Sequence, residues 1–160
     1  MWKIGDVPSP AETNERMKKK LSASVAALFL ATGTAHATDE LKPDKVFQKL
    51  CQECKEQDEM PGPIAACLLE NEEAFGKELE QVYNKALALA GTNNTLLRES
   101  QRSWLKYQES DCKLDEVWSS VEGAVYGRNA KAQCLLRTTL HRLQDLHEIV
   151  TFLETYGSVR

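Results

Sequence analysis

Cys51-Gln-Glu-Cys54 has the spacing of a redox-active dithiol or of half a zinc site, so it is where chemistry is sought first. Neither reading finds support around it. A dithiol of that kind belongs to a strand–helix–strand unit, and no strand alternation flanks these cysteines. Zinc needs further ligands; there is no second Cys-x-x-Cys, and His141 and His147 are six residues apart and do not share a helix face. Asp111, Asp115 and Glu116 form the other chemical candidate, since neighbouring carboxylates can do acid–base work. On a helix so rich in charge they read as a solvated face. Ser103 and His141 have no visible reason to meet, and no glycine-rich phosphate loop is present. The expectation is a protein that is not an enzyme, with no metal and no cofactor.

The five cysteines (Cys51, Cys54, Cys67, Cys112 and Cys134) make better sense as structure. Gly123 lies eleven residues from both Cys112 and Cys134. A chain reversal there sets two antiparallel helices side by side and brings the two sulfurs level, where a disulfide closes. Cys54 and Cys67 flank Pro61-Gly62-Pro63 almost symmetrically, and a hairpin at that turn aligns them too. A bridge closing a loop of this size stabilises by about 3 kcal/mol in the chain-entropy model. Cys51 is then odd: a free buried thiol, an intermolecular link and partnership with Cys67 in place of Cys54 all stay open.

The elements that position these residues follow from apolar spacing. A short helix capped by Asp44 is predicted from Val46, Phe47, Leu50, Cys51 and Cys54. After the proline turn, a helix from about Ile64 to Ala90 turns Ile64, Leu68, Phe75, Leu79, Val82, Tyr83 and Ala86 inward. Glu70, Glu72, Glu73, Glu78 and Glu80 give it an acidic outer face. Gly91-Thr92-Asn93-Asn94 stops it and caps the next helix. Leu97, Gln101, Trp104, Gln108 and Cys112 line one side of that helix. The last helix is expected to begin near Asn129 and carries a stripe from Ala132 through Leu136, Leu143 and Leu146 to Leu153. Trp104 and Trp118 read as core or core-edge aromatics, and Arg142 as reaching an acidic residue on the neighbouring helix. Glu122 to Asn129 is left as an irregular segment on a stapled base, where Tyr126 and Arg128 are the candidate partner contacts. The predicted fold class is all-α: a disulfide-stapled bundle of three main antiparallel helices plus a short N-terminal helix.

Met17-Lys18-Lys19-Lys20, the apolar run Leu21 to Ala31, and Ala35-His36-Ala37 together make a secretory signal peptide over 17–37, cleaved after Ala37. The run is too short to span a bilayer as a helix. Residues 1–16 are polar, with Pro8 and Pro10, and read as a disordered or mis-assigned extension before a start at Met17. The residue directly after the cleavage site is Thr38, not a cysteine that would take a lipid anchor. Residues 38–160 form one domain, periplasmic or secreted and not membrane-inserted. They keep 15 basic and 21 acidic residues, a formal charge of −6. Such a charge does not favour nucleic acid or anionic lipid and does favour a cationic partner.

Gln101-x-x-Trp104, then Cys112, then Cys134, then Thr139-x-x-Arg142 with Leu146, resembles the LprI-like lysozyme-inhibitor family of small secreted bacterial helical proteins. The resemblance runs from about Cys54 to Leu153, and Cys67 with Leu79 and Tyr83 fits its Cys…Leu-x-x-x-Tyr pattern. Two positions depart from it: Gly76 or Lys77 stands where an acidic residue is frequent, and Gln108 where arginine is usual. The resemblance implies structural roles for Gln101, Trp104, Thr139 and Arg142, and a protein partner, a lysozyme-type muramidase. An envelope interaction or immunity protein with another partner is the alternative.

Overall fold

In a computed structural model of the chain, residues 42–91 and 94–157 are described. They form α1 (Pro43–Gln57), α2 (Pro61–Ala90), α3 (Asn94–Ser119), a 3-10 turn (Ser120–Glu122) and α4 (Ala124–Tyr156). No strand occurs among the described residues. The extension at 1–16 and the signal peptide at 17–37 lie outside them.

Prolines and glycines set the ends of these helices. Pro43 and Pro61 each open a helix, where the missing amide hydrogen is no loss. Between α1 and α2, Asp58 is extended, and its side chain accepts the Met60 amide at 2.8 Å, closing a tight connection. Asp44, expected as a cap, lies inside the first turn of α1, and Lys42 holds the N-cap position without a side-chain capping bond. The Asp44 carboxylate is instead 2.9 Å from His141 Nε2 and ties α1 to α4. Gly91 ends α2 at φ 56°. The chain reverses at Gly123, whose φ of 129° would strain any side chain.

α4 is the central helix. It packs against α1, α2 and α3, whereas α2 and α3 touch each other only lightly. α3 runs antiparallel to α4, and α2 runs parallel to it. The parallel register shows in Thr139 with Glu72, His147 with Glu78 (3.6 Å) and Lys85 with Glu154 (2.8 Å). Leu68, Leu136 and Leu146 are fully enclosed between these helices. Full burial of such a side chain is worth about 1.5–3 kcal/mol relative to exposure.

Two disulfides staple the bundle. Cys54–Cys67 joins α1 to α2 with Cα atoms 5.7 Å apart, and Cys112–Cys134 joins α3 to α4 at 5.3 Å. Both fall within the ordinary range for unstrained bridges. Asn71, itself buried, donates to the Cys67 carbonyl at 2.9 Å beside the first bridge. Cys51 is the free cysteine, half-buried on α1. Burial pushes its thiol pKa up, against the opposing effect of Lys55, so little thiolate is available for exchange.

The segment expected to be irregular is not so. Helix α4 starts at Ala124, directly after Gly123, so Tyr126 and Arg128 project from its first turns. Gly127 explains how a glycine-containing segment stays helical here. A Cβ at this position would lie 2.5 Å from the Glu116 carbonyl oxygen and even closer to Ser120 Oγ. Only a bare backbone lets α4 come so near the end of α3. Gly127→Ala is therefore expected to destabilise by about 1–3 kcal/mol, the usual range for overpacking, despite alanine's better helix propensity. A urea midpoint equal to or above the parent's would refute this account of Gly127.

Candidate functional site

The four residues Gln101, Trp104, Thr139 and Arg142 come together along the α3–α4 seam. Thr139 sits at its centre, 1% exposed. Its hydroxyl accepts from Gln108 Nε2 at 3.0 Å and donates to Glu72 Oε1 at 3.1 Å, so one chain of bonds crosses α3, α4 and α2. Gln108 also donates to Thr138 Oγ1 at 2.9 Å, and Thr138 donates to the Cys134 carbonyl at 2.9 Å. Each buried polar group thus has a partner, which is the condition for its burial. Gln108 fills this place as a neutral two-hydrogen donor. Glu72, expected on the solvated face, is half-buried and turned toward α4 for the same reason.

One turn further along, Arg142 is buried against the half-buried Trp104, its Cζ 6.0 Å from the ring centroid. Its Nε donates to Gln101 Oε1 at 3.0 Å and its Nη2 to Ser100 Oγ at 3.1 Å. The expected acidic partner on the neighbouring helix is therefore an amide and a hydroxyl. The carboxylate in range is Asp145, 3.9 Å away on α4 itself. Burial pulls the Arg142 pKa below its ordinary value, with Asp145 and Tyr83 acting the other way. An arginine stays charged nonetheless. The seam is hydrogen-bonded throughout and presents no nucleophile or base to solvent; what it can do is fix the register of α3 on α4.

The carboxylates after Trp104 do not converge. Asp111 accepts from the Tyr107 hydroxyl at 3.1 Å, Asp115 lies 3.8 Å from Arg137, and Glu116 takes Lys113 at 3.0 Å and Lys131 at 3.2 Å. Hydrogen bonds from Lys113 and Lys131 hold the Glu116 carboxyl below the usual glutamate range, which suits an ion pair and not a general acid. Among the described residues no group of three or more His, Cys, Asp or Glu is placed to hold a metal ion. No helix among them is long and apolar enough to cross a membrane.

Binding character collects at the end of the bundle where both turns lie. Gly62, at the α1–α2 turn, lies against Val125 at the start of α4. Tyr126 is 45% exposed there and Arg128 is exposed on the next turn. Trp118 lies in the last turn of α3. Read from the sequence as a core or core-edge aromatic, it is 67% exposed.

No curated protein and no solved structure matches this chain. A family profile described as lysozyme inhibitor LprI matches residues 51–146. That span contains Cys51, both disulfides, the whole hydrogen-bonded seam and the turn bearing Tyr126 and Arg128. With more than half of its length matched, the chain belongs to the lysozyme inhibitor LprI family.

Proposed function

We propose that this protein is an exported inhibitor that binds a cationic lysozyme-type muramidase and occludes its cleft. Family membership across residues 51–146 carries the reading. Three physical features support it. The domain left after cleavage at Ala37 has a formal charge of −6, which steers encounter with a cationic enzyme. Two disulfides in a small helical domain suit an oxidising compartment outside the cytoplasm. Tyr126 and Arg128 stand on a stapled, closely packed helix start, so little conformational freedom is lost when they dock. Arg128 is a cation suited to approach the cleft carboxylates of such an enzyme.

The test is lysis of peptidoglycan by a panel of lysozymes, titrated with the exported, oxidised protein. Saturable inhibition that weakens at high salt is expected. Replacing Tyr126 and Arg128 together by alanine should weaken it about tenfold or more without lowering the thermal midpoint, since both side chains are exposed. Unchanged potency would remove these two residues from the contact. No inhibition of any lysozyme by a folded, disulfide-bonded sample would sink the muramidase reading and favour an envelope interaction or immunity protein with another partner.

A further inference from the structure

α3 carries two apolar stripes, and only one of them is used by the fold. Leu97, Gln101, Trp104, Gln108 and Cys112 face α4. Around the helix from these, Tyr107, Leu114 and Trp118, continued by Val121 in the 3-10 turn, recur at steps of seven, four and three, with Val117 beside them. Their exposures are 55%, 43%, 67% and 87%, and 52% for Val117. Charged and polar residues are the norm on the outer face of a surface helix. Single exposed apolar side chains are ordinary; four in register over four turns, with a fifth beside them, mark an interaction site. The bundle itself supplies no cover, because α3 packs on α4 and only lightly on α2.

Charge says what kind of surface would cover it. Asp111 lies within the stripe and holds the Tyr107 hydroxyl; Glu122 follows Val121 at the tip. Asp115 and Glu116 have basic neighbours in Arg137, Lys113 and Lys131, but no lysine or arginine among the described residues pairs with Asp111 or Glu122. The Tyr107 phenol donates to the Asp111 carboxylate, and that bond raises the phenol's pKa. An apolar strip set with unneutralised carboxylates, on a domain of charge −6, disfavours a second copy of itself and complements a cationic face with an apolar centre.

We propose that this outer stripe of α3, centred on Trp118, is the main docking surface for the cationic muramidase. The inference rests on the function proposed above and locates its contact. The stripe is pre-organised: Cys112–Cys134 anchors α3 from behind, and Gly127 seats the turn.

The experiment compares the exported, oxidised protein with Trp118→Ser/Val121→Ser and with Asp111→Asn/Glu122→Gln. Trp118, Val121 and Glu122 are exposed, and asparagine at 111 can still accept from Tyr107, so thermal midpoints should stay near the parent's. Affinity for a cationic c-type lysozyme is measured by calorimetry and inhibition by peptidoglycan lysis. The apolar pair should lose at least tenfold in affinity, and the charge pair should bind more slowly with a flatter dependence on salt. If the parent inhibits while Trp118→Ser/Val121→Ser binds as tightly, the stripe is not the contact, though the inhibitor function stands. If the parent inhibits no lysozyme, the function falls and takes the occupant with it. Sedimentation of the protein alone provides the last arm: a dimer that Trp118→Ser/Val121→Ser dissociates would assign the stripe to a second copy and overturn the proposal.

Discussion

Replacing Cys112 and Cys134 together by alanine is expected to destabilise the domain by about 3–5 kcal/mol and lower its thermal midpoint by about 10–15 °C. The bridge spans 22 residues, and closing a loop of that length restrains the unfolded chain by about 3 kcal/mol. The remainder comes from packing, because Cys112 and Cys134 are 0% and 1% exposed and alanine leaves the sulfur volumes empty. Geometry makes this bridge more consequential than its neighbour. α3 is held to the bundle almost entirely through α4, so its last turns depend on the staple and on the contact at Gly127. α1 is instead tied down by Cys54–Cys67, by Asp44 with His141 and by its own apolar face. Urea unfolding of the two double variants, Cys112→Ala/Cys134→Ala and Cys54→Ala/Cys67→Ala, provides the check. An unchanged midpoint for the first would show that α3 is held by the seam alone. Loss of the staple should also reduce any binding by the outer stripe before the domain unfolds, since the tip of α3 frays first.

The apolar period made much of the interior legible in the sequence, though it passed over Ala65, Asn71, Ala90 and Leu140, all of them buried. Steps of three and four pick out Leu97, Gln101, Trp104, Gln108 and Cys112; four are buried and Trp104 is half-buried. Glycine and proline marked the reversals, because what they do to a backbone is local and does not depend on neighbours. Both disulfides followed from those reversals. What stayed hidden depends on contacts across helices. The start of α4 looked irregular because Gly123 and Gly127 are poor helix formers, and only the approach of Glu116 and Ser120 accounts for the second glycine. Glu72 belonged by period to the acidic face, yet Thr139 draws it inward. Trp118 looked like core or core edge because tryptophan usually is; its exposure reflects the missing neighbour on the outer side of α3, which no local rule reports. The candidate contact at Tyr126 and Arg128 was legible as position and residue type, and the outer stripe of α3 was not.

Arg142 supports the second large prediction: Arg142→Ala should destabilise by about 3 kcal/mol, and Arg142→Met by clearly less. Two opposing effects decide the size. Removing a guanidinium relieves the desolvation that lowers its pKa, which favours the variant. Against this stand two lost charge-assisted bonds, to Gln101 and Ser100, and a Gln101 carbonyl left buried without a donor. Such an orphan costs about 1–3 kcal/mol. The stem lying against Trp104 adds a packing loss that methionine largely restores and alanine does not. Lysine should fall between them, since it keeps the charge but cannot address Gln101 and Ser100 from one planar group. The decisive comparison is Arg142→Met/Gln101→Leu, which removes donor and acceptor together. If the seam stabilises chiefly because its members satisfy one another, this pair recovers most of the loss, with a coupling of about 1–2 kcal/mol in a double-mutant cycle. Additive losses would mean that Arg142 and Gln101 act independently, and the motif would then need an explanation outside the fold.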